Sequence, residues 1–193
     1  MATNRGDDSD ERNGIDEDAG CQHLSLHGVL LEIYGIGLIL IGESGIGKSE
    51  CALDLITRGH KLVSDDSVRI TKLGRRLEGS SPELTFEHLE IRGLGIISIR
   101  KLFGDAAVRR KIDIELCVEL KRWDAVENIE SIGLEVMEYD ISGVSLQKFV
   151  LPTGPGRNLA TLVETAVRMF ILRREGFDAA QELIGKHNAL VAP

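Results

Sequence analysis

The chain has 193 residues, which is enough for one domain with a substantial core. Its net charge of −8 gives no indication of the basic face that nucleic-acid binding needs, and no apolar run reaches the roughly 18 residues that cross a bilayer. The acidic, polar start is neither a signal peptide nor a basic transit peptide, so we expect a cytoplasmic protein.

Residues 1–20 differ in composition from the rest of the chain. They hold seven acidic residues and two arginines, with almost no apolar content and no periodicity. Such a segment cannot bury enough apolar surface to offset the entropy of ordering it. We therefore expect a disordered acidic tail over residues 1–20 and one folded domain over residues 21–193.

Cysteine usage agrees with a reducing compartment. Cys21, Cys51 and Cys117 are odd in number and far apart, which excludes a disulfide framework and a zinc site. Cys51 falls in a predicted helix and Cys117 in a predicted strand, so we expect both to be buried free thiols.

The first half of the folded part is predicted to be strands around one helix. Apolar, β-rich residues run from Leu24 to Tyr34 and are interrupted at His27-Gly28. The apolar run Gly37–Ile41 predicts a buried strand, and the spacing of Glu50–Arg58, closed by Gly59, predicts a helix. The other strands predicted here are Lys61–Ser64 and a hairpin of Ser67–Leu73 with Arg76–Glu78.

The second half is predicted to be strands followed by two helices. The segment Leu84–Arg92 favours no single structure, and Gly93–Gly95 breaks the pattern after it. The strands predicted from alternation are Lys111–Leu120, Leu134–Tyr139 and Val144–Val150, before a loop at Pro152–Gly156. The helices predicted from apolar spacing are Asn158–Arg173, stopped by Gly176, and Ala179–His187, capped by Asp178. The class is α/β, with strands dominant in the middle.

One segment matches the phosphate-binding P-loop pattern at every fixed position. Its residues are Gly42, Glu43, Ser44, Gly45, Ile46, Gly47, Lys48 and Ser49. The glycines let backbone N–H groups point at phosphate oxygens, and the following helix adds its positive end. Lys48 can place its charge on the phosphates and Ser49 can offer a hydroxyl to Mg²⁺. The alternative, a glycine-rich turn that merely links strand to helix, does not explain the complete pattern.

A phosphotransferase also needs a carboxylate for the metal ion and a group that deprotonates the acceptor hydroxyl. Asp65-Asp66 end a predicted strand, where α/β sheets place functional groups, and Glu90 and His27 are further candidates. Each has a structural alternative, because paired aspartates also form turns, a lone glutamate is usually solvated, and a histidine in a strand usually serves packing. Spacing alone favours function only for the aspartate pair.

Several stretches together resemble the HPr kinase/phosphorylase family over about residues 21–187. They are His27–Leu30, Gly42–Glu50, Gly59–Asp66 and Glu90–Ile97, with support from Pro155–Asn158. The P-loop is common to many families, whereas the stretch from Glu90 is specific. The resemblance implies a bacterial kinase that phosphorylates a serine of HPr, the phosphocarrier of the sugar phosphotransferase system. It also implies ATP or pyrophosphate as donor, a reverse reaction with inorganic phosphate, a hexamer, and a nucleotide-binding core like that of phosphoenolpyruvate carboxykinases.

The resemblance also implies roles for single residues. Lys48 and the loop backbone hold the phosphates of ATP, and Ser49 and Glu90 match the Mg²⁺ positions. Asp66 matches the carboxylate that accepts the serine proton and returns one in the reverse direction. His27 matches a histidine of the catalytic set, and residues 89–98 match the signature loop that serves both directions.

Two positions depart from the family pattern. Ser131 stands where an arginine is usual, and Gly154 stands where a basic residue usually precedes Pro155. The loss of two cations near anionic substrates predicts weak or absent phosphorylase activity, which Arg122 or Arg157 could offset. Family members also usually carry an amino-terminal domain, so we expect either a short-form member or an excised catalytic region.

Two other interpretations stay open. One is a P-loop kinase of the same fold with another acceptor. The other is a nucleotide-binding regulatory module with little turnover, which the departures at Ser131 and Gly154 keep open. The presence of Lys48, Ser49 and Asp66 argues against a mere sensor, because a sensor does not need a base.

Overall fold

The computed structural model of the chain describes residues 23–125 and 137–191. The strands in this part are β1 His23–His27, β2 Val29–Ile33, β3 Ile36–Gly42, β4 Lys61–Ser64, β5 Ser67–Leu73, β6 Arg76–Ser80, β7 His88–Ile91, β8 Gly95–Ser98, β9 Lys111–Arg122, β10 Met137–Ile141 and β11 Val144–Thr153. The helices are α1 Lys48–Thr57, α2 Ile99–Phe103, α3 Leu159–Arg174 and α4 Ala179–Val191. The expected α/β class, mainly β with C-terminal helices, is confirmed.

Nine of the described strands form one sheet, and β7 and β8 form a separate hairpin. The main path of the sheet is β1-β5-β6-β9-β3-β2-β4; β11 pairs with β9, and β10 with β11. β9 is parallel to both β3 and β11. β2 is antiparallel to β3 and to β4, so β4 runs in the direction of β3. The carboxyl ends of β4, β3, β9 and β11 therefore lie along one edge of the sheet.

This carboxyl edge collects chain segments that are far apart in sequence. Asp65-Asp66 follow β4, the loop of Gly42–Ser49 follows β3, Trp123 follows β9 and Gly154–Arg157 follow β11. The turn His27-Gly28 precedes β2, which starts at the same edge between β4 and β3. Open α/β sheets bind their ligands at the carboxyl ends of parallel strands, so this edge is the place to look for a site.

The core lies on both faces of the sheet. Alternate residues of β3 enter different clusters: Leu38 and Leu40 pack with α1 and α3, and Ile39 packs on the opposite face. Both faces of β3 are therefore covered, which explains the unbroken apolar run that predicted a buried strand. Cys51 and Cys117 are buried free thiols, as expected, and burial raises the pKa of each to about 12.

α1 is fixed at its end by backbone bonds and by charge. The N–H of Gly59 donates to the carbonyl oxygen of Ile56 at 2.9 Å, and that of His60 donates to Leu55 at 3.2 Å. These two bonds form a Schellman motif with Gly59 at φ 94, so the glycine predicted to end the helix does so. Arg58 then pairs with Glu164 of α3 at 2.8 Å, which ties the two helices together.

Several boundaries differ from the sequence prediction. β11 continues through Pro152 to Thr153, where a loop was predicted. β10 pairs with β11 only as far as Lys148, so Pro152 has β9 on one side and its missing N–H faces no partner strand. β9 likewise extends to Arg122, and α4 extends beyond His187 to Val191 because no proline follows before Pro193.

Several sequence predictions fall outside the described residues. These are the acidic tail of residues 1–20, Cys21, Ser131 and the start of the strand predicted from Leu134. The segment left unassigned at Leu84–Arg92 contains β7, which pairs with β8 across a turn of residues 92–94. Among the described helices, none combines the length and apolar character that crossing a membrane requires.

Candidate active site

β3 carries the P-loop to the middle of the carboxyl edge. Gly42 ends the strand at φ 146, and a Cβ there would lie 2.6 Å from the carbonyl oxygen of Leu120 on β9. Only glycine fits so close to a neighbouring strand. α1 begins at Lys48, within the last two residues of the loop, with Gly47 as its N-cap residue. The positive end of a ten-residue helix therefore lines the cleft, as anion binding requires.

The side chain of Lys48 is held inside the loop. Its Nζ donates to the carbonyl oxygens of Gly42 at 2.8 Å and Glu43 at 3.0 Å. Burial lowers the pKa of Lys48, and the nearby carboxylates of Asp66 and Asp65 offset part of this shift. A partly desolvated ammonium acts on a phosphate more strongly than an exposed one, because water screens it less.

Asp65 connects the loop, α1 and β7. Its Oδ1 accepts from the Ser49 hydroxyl at 3.2 Å, and its Oδ2 accepts from the backbone N–H of Glu90 at 3.0 Å. Burial raises the pKa of Asp65, and these two donors lower it in part. Leu89 and Ile91 on either side of Glu90 are buried in the core, so β7 holds Glu90 firmly at the cleft.

Asp66 occupies a strained turn beside the loop. Its φ is 64, and the N–H of Ser67 donates to the carbonyl oxygen of Asp65 at 2.8 Å, which closes a γ-turn around it. The N–H of Gly28 holds the Asp66 carbonyl oxygen at 3.1 Å. Strain of this kind persists only where the surroundings impose it, and it is common at functional sites.

His27 faces the carboxylate of Asp66. Its Nδ1 lies 3.0 Å from Oδ1, and the two side chains are 55% and 75% exposed. An ionised carboxylate has no proton to donate, so the ring N–H is the donor of this bond. The histidine thereby fixes one oxygen of Asp66, and the Asp66 side chain lines the cleft.

All of the sequence-predicted catalytic and metal residues line one cleft of about 220 Å³. They are His27, Lys48, Ser49, Asp66 and Glu90, and the loop residues Ser44, Gly45 and Gly47 also line it. The cleft thus combines a phosphate cradle, one ammonium and several carboxylates. Such a set can hold a polyphosphate and move a proton beside it.

Three further residues of this cleft, Glu50, Asp65 and Arg92, had no individual role in the sequence analysis. Asp65 was favoured only as one of a pair, and its bonds to Ser49 and Glu90 join residues 16 and 25 positions apart, which local patterns do not reveal. Arg92 also lines the cleft, and its Nη2 lies 3.2 Å from the position that a Cβ on Gly45 would take. The signal available for it was its place in the stretch Glu90–Ile97, two positions after Glu90.

The donor set suits Mg²⁺ held jointly with a phosphate. Over the described ranges, no group of three or more His, Cys, Asp or Glu side chains is arranged to hold a metal ion by itself. Mg²⁺ usually takes one or two carboxylates and fills its other positions with water and substrate phosphates. The oxygens of Ser49, Asp65 and Glu90 around the same cleft fit that requirement.

Comparison with known proteins identifies relatives over nearly the whole chain. A family model described as the HPr Serine kinase C-terminal domain matches residues 20–187. The HPr kinase/phosphorylase of Bacillus cytotoxicus is 48% identical over 159 residues, which are 82% of this chain and 52% of the relative. That of Thermoanaerobacter sp. (strain X514) is 45% identical over 172 residues, which are 89% of this chain and 56% of the relative. The chain thus spans about half the length of these relatives.

A solved structure agrees with the fold. The Hpr(Ser) kinase/phosphatase from Coxiella burnetii superposes with a TM-score of 0.75 at 35% sequence identity. The match covers 83% of this chain and 98% of that one. The arrangement of strands and helices described above is therefore shared with a structure of that name.

Proposed function

Because the chain belongs to the HPr serine kinase family, we propose that it transfers the terminal phosphoryl group of ATP to a serine hydroxyl of HPr. The observation that supports this most is the gathering of Lys48, Ser49, Asp65 and Asp66 around one cleft at the carboxyl edge. A phosphate cradle alone serves many functions. Phosphorylation of an alcohol also requires a base beside the cradle. Asp66, which lines the cleft and is held by His27, provides that carboxylate.

The proposed reaction is a direct displacement at the terminal phosphorus. The free oxygen of Asp66 takes the proton of the serine hydroxyl while the serine oxygen forms a bond to phosphorus. The bond from phosphorus to the bridging oxygen breaks, and its electron pair leaves with the remaining phosphates. Lys48 and the N-terminus of α1 balance the negative charge in the transition state. His27 positions Asp66 by donating to its other oxygen.

Ser49, Asp65 and Glu90 are the residues that would hold Mg²⁺. When bound, the ion supplies positive charge to the phosphate oxygens. Asp65 has a second task that its geometry supports, because its carboxylate accepts from both Ser49 and the Glu90 backbone. It thereby keeps the start of α1 and β7 at a fixed separation across the cleft.

We also propose that the reverse reaction, in which inorganic phosphate attacks phosphoserine, is weak. Gly154 leaves the end of β11 without a basic side chain, and Ser131, the other departure, lies outside the described residues. Arg157 is near Gly154 and stacks over Trp123, so it is available as a partial substitute. Brisk release of pyrophosphate from phospho-HPr in excess inorganic phosphate would contradict this part of the proposal.

The forward reaction can be tested with purified protein, HPr and Mg-ATP. Mass spectrometry should find one added phosphoryl group on a serine of HPr. Lys48→Ala should lower the rate by about a hundredfold or more, because a buried positive charge at the transferring group is lost. Phe177→Ala is the matched control, since this half-exposed side chain lies outside the cleft, and it should retain the rate.

The other outcomes separate the alternative functions. Transfer to another acceptor but not to HPr would support a P-loop kinase with a different substrate. Tight binding of Mg-ATP without transfer to any acceptor would support a regulatory module. The hexamer implied by the resemblance and the cytoplasmic location expected from the composition remain predictions, which a sedimentation measurement and cell fractionation would test.

A further inference from the structure

A second cleft adjoins the phosphate loop on the side away from Asp66. It has a volume of about 460 Å³, and we call it the Trp123 cleft. The residues that line it include Gly45, Arg122, Trp123, Asp124 and Gly154. Gly45 lines both clefts, so the two meet at the phosphate loop.

The order of strands places the two clefts on opposite sides of β3. Asp65-Asp66 follow β4 and His27 precedes β2, both on one side. Trp123 follows β9 and Gly154 follows β11, both on the other side. The groups that activate an acceptor and the groups of the Trp123 cleft are therefore separated by the phosphate loop itself.

The Trp123 cleft offers a flat aromatic surface with a cation beside it. The indole is 50% exposed, and the guanidinium carbon of Arg157 lies 5.1 Å from its ring centroid. Gly154 lies beside Trp123, because a Cβ built on Gly154 would be 4.0 Å from the Trp123 Cβ. Glycine has no side chain, so this position leaves the indole uncovered. Arg122 and Asp124 pair at 3.8 Å beside it. Planar heteroaromatic rings bind to such surfaces by stacking.

We propose that Trp123 and Arg157 form the subsite for the nucleoside of the phosphoryl donor, an inference that rests on the proposed kinase function. Attacking and leaving oxygens lie roughly in line at the transferring phosphorus. An acceptor activated by Asp66 approaches from the β4 side, so the leaving phosphates and the nucleoside extend toward β9 and β11. The base then stacks on the indole at the far end of the same polyphosphate path.

This arrangement makes the two parts of the donor separable. Lys48 and the loop hold phosphates, whereas the indole of Trp123 contacts only a nucleoside. Inorganic pyrophosphate occupies the loop without reaching the indole. ADP occupies both, so the difference in affinity between the two ligands measures the subsite.

The test compares Mg-ADP and Mg-pyrophosphate by titration calorimetry on the full chain. Trp123→Ala should weaken ADP binding by about tenfold, the effect of losing one base–aromatic stack, and leave pyrophosphate binding unchanged. Trp123→Phe keeps a ring and should stay within about threefold of the wild type. Unchanged pyrophosphate affinity also reports that the alanine variant is folded.

A second readout uses the fact that the chain has one tryptophan. Saturating Mg-ADP should change the emission of Trp123, and saturating Mg-pyrophosphate should leave it nearly constant. Phe177→Ala, which removes a half-exposed ring elsewhere, is the control and should leave both affinities unchanged.

The outcomes distinguish the two proposals. Equal ADP affinity in the wild type and Trp123→Ala would overturn the nucleoside subsite, and so would a parallel loss of ADP and pyrophosphate affinity. Both results would leave the kinase function intact. A wild-type chain that binds neither ligand would instead overturn the proposed function, and the subsite with it.

Discussion

Replacement of Asp66 by asparagine tests the proton transfer most directly. Asp66 lies in the left-handed region at φ 64, which asparagine tolerates better than other side chains with a Cβ. Asp66→Asn therefore keeps the turn, the size of the side chain and an oxygen that accepts from His27. It removes only the basic carboxylate.

The expected loss of activity greatly exceeds the expected loss of stability. General-base catalysis contributes about 10²–10⁴-fold, which is roughly 3–5.5 kcal/mol of activation free energy. The His27–Asp66 pair is mostly solvated, at 55% and 75% exposure, and such pairs contribute at most about 1 kcal/mol to folding. A fall in kcat is therefore separable from unfolding.

The assay measures phosphoserine formation on HPr, Mg-ADP affinity by calorimetry and the free energy of unfolding in urea. We expect kcat for Asp66→Asn to fall by about a hundredfold or more, with ADP affinity within about threefold and stability within about 1 kcal/mol. Asp113→Asn is the matched control, because that aspartate is exposed and pairs with Arg76 at 3.2 Å away from the cleft. Retained kcat in Asp66→Asn would refute the assignment of the base, and a parallel loss of ADP affinity would place Asp66 in donor binding instead.

Two further predictions concern stability. Burial raises the folded-state pKa of Asp65 above its ordinary value of 3.8. The protonated carboxyl therefore stabilises the fold below pH 3.8, and this contribution to the free energy of unfolding is lost as pH rises through the folded-state pKa. Asp65→Asn should therefore be more stable than the wild type in urea at pH 7, with a gain that shrinks toward about pH 3, while its Mg²⁺-dependent ADP affinity falls; a gain independent of pH would contradict this. Leu38→Ala, at a fully buried position of β3, should lower the free energy of unfolding by about 2–5 kcal/mol. The exposed Leu102→Ala serves as its control, and an equal effect of the two would contradict the core described here.

Local patterns predicted the elements around the phosphate loop well. The buried run Gly37–Ile41, the helix after the loop and the strand Lys61–Ser64 all appear with boundaries within a few residues. Each depends on interactions between near neighbours, such as the Schellman motif at Gly59. The gathering of His27, Asp66 and Lys48 in one cleft was expected from the resemblance, and the geometry agrees with it.

Long-range pairing accounts for what the sequence analysis missed. Nothing near β9 indicates that it pairs with β6 at one end and with β11 and β3 at the other. That pairing carries Trp123 to the phosphate loop. In the same way, the bond from the Glu90 N–H to Asp65 joins residues 25 positions apart. Pro152 can pair with Lys121 of β9 because β10 does not extend along β11 beyond Lys148. The local sequence around a proline does not show whether a neighbouring strand is present.

The position of the phosphate loop at the centre of the carboxyl edge has a consequence for how this fold diversifies. The segments on its two sides come from different parts of the chain, and among the described residues their clefts share only Gly45. Substitutions at distant sites without common partners have additive effects. Preference for a donor and preference for an acceptor can therefore evolve independently, and a designer could exchange one side while the other keeps its chemistry.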